Sequence, residues 1–166
     1  MPSYIVKPTN RILAGPPDAQ GKIIEGEVGA NATLVKMLPG RFVVYDAAEG
    51  DFKESGAVAD TVVGILEVRS GRALTDAPTA IGDPISIIPV GSGAWVVVTL
   101  VKAGAAVTVG DPLVAVADGK ASKQAVGAMG GQGTVVARAL TNGDPTSADV
   151  TVLAELSSSA EPAAAT

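Results

Sequence analysis

The chain contains no cysteine and no histidine. Their absence excludes disulfides, thiolate chemistry, zinc sites of the usual ligand types and imidazole acid/base catalysis. An enzyme built on this sequence would have to work with carboxylates, Lys, Ser, Thr or Tyr alone. Aromatics are scarce as well, 3% against 47% hydrophobic residues. The core must therefore come from Val, Ile, Leu and Ala, which each bury less area than Phe or Trp. Modest stability per subunit follows, and association with a partner is a natural supplement. Clustered positive charge is missing too: the 12 Lys and Arg stand singly in a chain of net charge −5. That argues against nucleic-acid binding, where basic side chains gather on one surface. No apolar h-region follows the first Met, and no apolar run approaches membrane-spanning length. The expectation is a soluble protein made in a cytoplasm, without membrane contact.

What is present is a succession of short Val/Ala/Leu-rich runs cut by Gly, Pro, Asn and Asp, densest from Lys102 to Leu156. Each run has the length of one strand, and none reaches three helical turns. Gly and Asn accept positive φ, while Pro fixes φ and cannot donate to a ladder, so the punctuation is that of strands and turns. Strands are expected at Ile24 to Val28, where Glu25 and Glu27 alternate with Ile24, Gly26 and Val28, and at Arg41 to Tyr45 and Thr61 to Val68. Further strands are expected at Ile85 to Ile88, Ala94 to Leu100, Thr134 to Leu140 and Asp149 to Leu156. Gly64 marks a bulge or a close approach. Trp95, the only Trp, is assigned to core packing. Asn31-Ala32-Thr33 spells a glycosylation sequon but reads as a turn. At 166 residues the chain fits one domain with a sizeable core, or two small subdomains.

The termini differ in kind. Residues 1–22 hold four prolines and two apolar clusters, Tyr4-Ile5-Val6 and Ile12-Leu13-Ala14. Pro pushes its predecessor out of the helical region, so the segment is extended, either a frayed end or an arm that lies along a neighbour or adds to a sheet edge. Residues 157–166 are low in large apolar groups and are expected to be a disordered tail.

Internal echoes connect the two halves. Gly82-Asp83-Pro84 and Gly110-Asp111-Pro112 each precede an apolar run, and Gly143-Asp144-Pro145 repeats the tripeptide. Residues Gly40 to Ser55 also echo Gly110 to Ser122. Two similar β-lobes, about 36–68 and 102–156, or one barrel with pseudo-repeated hairpins, would explain this. Reuse of turn chemistry explains it more simply.

No motif carries chemistry. Asp118-Gly119-Lys120 is no phosphate loop, because position 114 is Val114 and Lys120 precedes Ala121. The Gly-rich stretch Gly127 to Gly133 lacks dinucleotide spacing and reads as a loop. Glu25/Glu27 and Asp46/Glu49/Asp51 lie in polar, Gly-containing segments. Solvated carboxylates are expected there, not a raised pKa or a calcium loop. No catalytic residue, cofactor or metal is expected. The rhythm of Val101 to Val116 resembles biotinyl and lipoyl carrier domains, yet Met129 stands between Ala128 and Gly130 without the Lys that carries their cofactor.

Lys102 to Lys120 (KAGAAVTVGDPLVAVADGK), then GTVVARAL and a closing VTVLAEL, resembles the capsid decoration or cement proteins of tailed bacteriophages. The likeness covers Lys102 to Leu156, about a third of the chain, and Lys36 to Val68 more loosely. It implies an all-β fold, a small β-barrel or β-sandwich of β-tulip type with an extended arm over 1–22, a β-rich domain over 23–156 and minor helical content. It also implies a non-enzymatic virion protein that binds the outer surface of an icosahedral head, bridges major capsid protein subunits and stabilises the shell. A homotrimer is implied, with host cytoplasm as the site of assembly and no direct nucleic-acid contact. The arm residues Tyr4, Ile5, Val6, Ile12 and Leu13 are the capsid-binding candidates. Another β-rich virion component, such as a tail or head fibre, and a small-molecule-binding barrel are the alternatives.

Overall fold

The short apolar runs fold into ten strands and no α-helix among the residues that the computed structural model describes, 23–57, 60–67, 76–124 and 134–157. The strands are β1 (Ile24–Glu27), β2 (Phe42–Asp46), β3 (Asp51–Glu54), β4 (Val62–Leu66), β5 (Pro84–Pro89), β6 (Trp95–Leu100), β7 (Pro112–Ala115), β8 (Ala121–Lys123), β9 (Val135–Ala139) and β10 (Val150–Leu156). Leu34–Lys36 and Ala117–Gly119 are single 3-10 turns. The protein is all-β, with two sheets, one of which closes into a small barrel, one of the architectures expected. The N-terminal segment with its candidate residues Tyr4, Ile5, Val6, Ile12 and Leu13 lies outside the described residues. So do Arg72, the Gly-rich stretch from Gly127 to Gly133, and the tail beyond Ser157.

Strands β1 to β5 form a sheet in the order β1-β5-β4-β2-β3, and β6 to β10 close a barrel in the order β10-β6-β8-β7-β9. The two lobes are the same fold used twice. Strand β4 bulges against β2, Val43 pairing with Gly64 and Val44 with Val62, so that Val63 is extra. Strand β9 bulges against β7 at the same place, Leu113 pairing with Ala137 and Val114 with Val135, so that Val136 is extra. The flanking hydrogen bonds match: Gly40 N–H donates to Leu66 O as Gly110 N–H does to Ala139 O, and Val90 N–H to Val63 O as Ser157 N–H does to Val136 O. A parallel contact of Leu100 with Ala121 closes the second barrel, and a parallel bridge of Val28 with Phe52 curls the first lobe shut in the same way. Shared turn chemistry would reproduce turns, but not a bulge, its register and a closing bridge. The repeating units start at β1 and β6.

Glycine tightens the first copy. A Cβ on Gly26 would collide with the Phe52 ring, and one on Gly64 with Ile88 O. Gly64 is thus both beside the bulge and a point of close approach.

Two cores result. Val28, Met37, Val43, Phe52, Leu66, Ile85 and Ile87 fill the first lobe. The second barrel is filled by small side chains such as Ala94, Val96, Val98, Leu113, Ala121 and Ala154, which suits the narrow interior of five strands. That second core also contains Phe42, Ile65 and Ile88 of the first lobe. These three lie on the outer face of the first sheet, and their counterparts in the second lobe, Pro112, Arg138 and Glu155, are all partly exposed. The first sheet is therefore apolar on both faces and packs its outer face on the second barrel.

Two expectations need correction. Trp95 is 38% exposed, because β6 alternates and Val96, Val98 and Leu100 take its inward positions. Asp46 is buried, since its turn folds Asn31 and Lys53 onto the carboxylate.

Candidate functional site

The junction between the lobes is built by a short segment, Gly40 to Phe42. Gly40 O accepts from Thr99 N–H on β6 (3.3 Å), and Ser55 O accepts from Gly119 N–H just before β8 (2.8 Å). A Cβ on Gly119 would stand 2.6 Å from Phe42 O and 3.0 Å from Arg41 Cβ. The segment thus spans the seam between β6 and β8, where the barrel is held by the single pair Leu100–Ala121.

Charge reinforces the joint. Lys36 Nζ lies 2.8 Å from Asp118, and Arg41 Nη1 donates to Asp118 O at 3.0 Å; within the second lobe, Lys120 Nζ lies 2.9 Å from Asp149. The hydrogen bond from Lys36 holds the Asp118 carboxyl below its usual range and raises the Lys36 amine. Burial pushes Asp149 up, but Lys120 and the Lys102 N–H outweigh it and lower its pKa. Half-exposed pairs of this kind fix geometry more than they add stability.

The other carboxylates organise loops. Asp83 accepts from Thr79 N–H, Thr79 Oγ1 and Ala80 N–H, and Asp111 accepts from Thr108 N–H and Oγ1. These are the two Gly-Asp-Pro turns that precede β5 and β7; in the third, Asp144 accepts from Thr146 and no strand follows directly. Burial pushes Asp111 up, and its bonds from Lys123 and Thr108 together outweigh the effect and lower its pKa. Asp60 accepts from Gly56 and Ala57 N–H. Asp46 accepts from Lys53, Asn31 and the Ala48 N–H, in that order of influence, and its pKa falls to about 2. Among the described residues no three metal-binding side chains gather, and no helix is long and apolar enough to cross a membrane.

One concavity opens at the mouth of the first lobe, a cavity of about 220 Å³. Its floor is Met37, Leu66, Ile85 and Pro84, with Pro78 on its wall. Among the described residues, its charged lining consists of Glu67, Asp76 and Asp83. Sites for small-molecule ligands run from about 300 to 1,000 Å³, so this cavity has the size of an anchoring side chain.

No family model matches the chain, and no curated protein matches it. A solved structure does. The N base of the head fiber gp8.5 of bacteriophage phi29 superposes with a TM-score of 0.48 and 16% sequence identity, over 82% of this chain and 96% of that one.

The mouth was not legible in the residues singled out beforehand. Glu25 and Glu27 lie on the exposed face of β1, where Glu25 accepts from Ser86 Oγ. Asp46, Glu49 and Asp51 sit around the β2–β3 turn, with only Asp46 buried. The signal for the mouth was Leu38-Pro39-Gly40 together with Asp83-Pro84, two proline turns that the register brings to one end of the lobe.

Proposed function

We propose that the chain is a structural, non-enzymatic virion protein of a tailed bacteriophage. It binds the outer surface of the head through its N-terminal segment and braces the shell by bridging major capsid protein subunits. The observation that carries this reading is the use made of its polar groups. Carboxylate after carboxylate ties down a loop or welds one lobe to the other, which is the economy of a rigid scaffold. The likeness of Lys102 to Leu156 to decoration proteins supplies the setting, and in the structure most of that stretch is the closed barrel. The cavity, smaller than a metabolite site, favours a scaffold over a ligand-binding barrel. An extended arm suits the task, because main-chain pairing with a capsid strand needs no special side-chain set and several weak contacts add through effective concentration.

The test has two steps. Light scattering is expected to give three times the 16.4 kDa subunit mass, and the protein is expected to co-sediment with assembled heads of the encoding phage. Deleting residues 2–22 abolishes that binding and leaves the unfolding transition in place. Undiminished binding by the deletion variant overturns the role of the arm, and no binding by the full chain overturns the function.

A further inference from the structure

Asn142-Gly143 is the one Asn-Gly pair in the chain, since Asn10 precedes Arg11 and Asn31 precedes Ala32. Such a pair is chemically labile, because Gly lets the main chain fold back on the Asn side chain with no Cβ in the way. In the reaction the Gly143 nitrogen, having lost its proton to hydroxide, attacks Asn142 Cγ. The N–Cγ bond forms, the Cγ–Nδ2 bond breaks, and the amide nitrogen takes a proton from water and leaves as ammonia. Water then opens the five-membered imide at either carbonyl. The product is aspartate at position 142 or its β-linked isomer, whose main chain is one methylene longer.

Asn142 lies exposed in the β9–β10 connection, so water and hydroxide reach it. The backbone around it is pinned at three points. Thr141 Oγ1 accepts from Leu153 N–H at 3.0 Å, Gly143 exchanges hydrogen bonds of 2.8 and 3.0 Å with Val107, and Pro145 O accepts from Ala103 N–H at 2.9 Å. The attacking nitrogen is itself one of these donors, since Gly143 N–H gives to Val107 O at 3.0 Å. It can neither lose its proton nor turn toward Cγ until that bridge breaks. The carboxamide, by contrast, is primed. Val109 N–H donates to Asn142 Oδ1 at 3.1 Å, which draws charge from Cγ and favours attack, so the lock is the bridge to Val107. The longer product does not fit the closed connection. A Cβ on Gly143 would stand 2.5 Å from Val152 Cγ1 and 3.0 Å from Leu100 Cδ1, which leaves no slack for a displaced main chain.

We propose that Asn142 is a deamidation site that the fold holds shut, exposed to reaction when the β9–β10 connection parts from Val107 and unable to close again once the β-linked product has formed. Each opening of this end of the second lobe is reversible until the reaction occurs and irreversible afterwards. The inference does not depend on what the protein binds.

The test follows the full-length chain at mildly alkaline pH in buffer and in guanidinium chloride. Peptide mass spectrometry reads the conversion of amide to carboxyl at position 142, and isoaspartyl methyltransferase labelling reads the β-linked fraction. Deamidation is expected to be about 100-fold slower in buffer than in denaturant, by the same factor that hydrogen exchange gives for protection of the Gly143 amide. β-Linked protein formed in denaturant and returned to buffer is expected to melt at a lower temperature than the wild type, whereas Asn142→Asp, with its main chain unchanged, melts close to it. Equal rates in buffer and denaturant overturn the lock, and so does deamidation in buffer that outpaces opening of the Gly143 amide. Absence of reaction in denaturant overturns the site, and β-linked protein that regains the wild-type Tm overturns the one-way closure.

Discussion

Replacing Gly119 and Gly50 by Ala, one at a time, measures the weld between the lobes. The two glycines are equivalent in the repeat, each two residues before the strand residue that closes its lobe, Ala121 and Phe52. Both have left-handed backbone, with φ of +66° at Gly119 and +81° at Gly50. A side chain there costs about 1 kcal/mol in either place, and the entropy that Ala removes from the unfolded chain is the same for both. Their surroundings differ. A Cβ on Gly50 would meet only the Tyr45 hydroxyl at 3.9 Å, whereas one on Gly119 would meet Phe42 O at 2.6 Å and Arg41 Cβ at 3.0 Å. Gly119→Ala must push the first lobe away and weaken the bond from Gly119 N–H to Ser55 O (2.8 Å), itself worth about 1 kcal/mol. The expected loss is roughly 3 kcal/mol for Gly119→Ala and roughly 1 kcal/mol for Gly50→Ala. For a chain of this size that corresponds to Tm decreases of about 10 °C and about 3 °C. Urea unfolding with matched m-values reads both. Equal losses would show that the joint is soft and that the lobes are not welded through Gly40 to Phe42.

The seams offer a second test. In the first lobe Phe52 lies over Gly26, while their equivalents in the second are Ala121 and Val98. Phe52→Ala is expected to cost about 3–5 kcal/mol, and Gly26→Val to be severely destabilising. The double variant, which installs the second lobe's pair, should be more stable than the sum of the two by about 1–3 kcal/mol; strict additivity in the double-mutant cycle would refute the packing argument. Acid should reveal Asp46. Its pKa drops from 3.8 unfolded to about 2 folded, so its contribution is complete above the unfolded value and disappears as pH falls through the folded one. The stability gap between the wild type and Asp46→Asn should narrow from about pH 3.8 to about pH 2, as followed by the urea midpoint. A constant gap would mean that the bond from Lys53 does not operate.

Strand positions were readable because alternation and turn residues are local. Ile24 to Glu27 alternates in burial as its sequence alternates in polarity, and the Asp118-Gly119-Lys120 stretch does turn β7 into the antiparallel β8. What the sequence hid is relational. The repeat resides in register, in the bulge at Val63 and Val136 and in the closing bridges; the bulge residues are valines in both lobes, which says little in a chain rich in Val, and the closing pairs differ outright, Val28 with Phe52 against Leu100 with Ala121. The Gly-Asp-Pro tripeptides misdirect as well, since Gly82 opens the last strand of its lobe and Gly110 the second of its own. A clue to the lobe interface did exist: Phe42-Val43-Val44 and Ile85 to Ile88 lack the clean alternation of strands with one wet face, as expected for strands buried on both sides. Trp95 failed as a core residue for the opposite reason. Size and apolarity say that a side chain gains by burial, but only strand parity says which way it points.

The two seams explain why one copy of the fold could not be repeated unchanged. A five-stranded barrel closed by a single parallel pair leaves a gap beside that pair, and a gap lined with apolar groups must be filled. The first lobe fills its gap from within, at the expense of a glycine beneath an aromatic ring. The second keeps Val98 and Ala121 and is covered from outside by the segment Gly40 to Phe42 with Phe42 packed into its core. In the second lobe, the faces equivalent to Phe42, Ile65 and Ile88 carry Pro112, Arg138 and Glu155, so they cannot seal a further barrel in the same manner. The series therefore stops at two within the chain. Contact with any third body must use other surfaces, and among the described residues the mouth of the first lobe is a concave one.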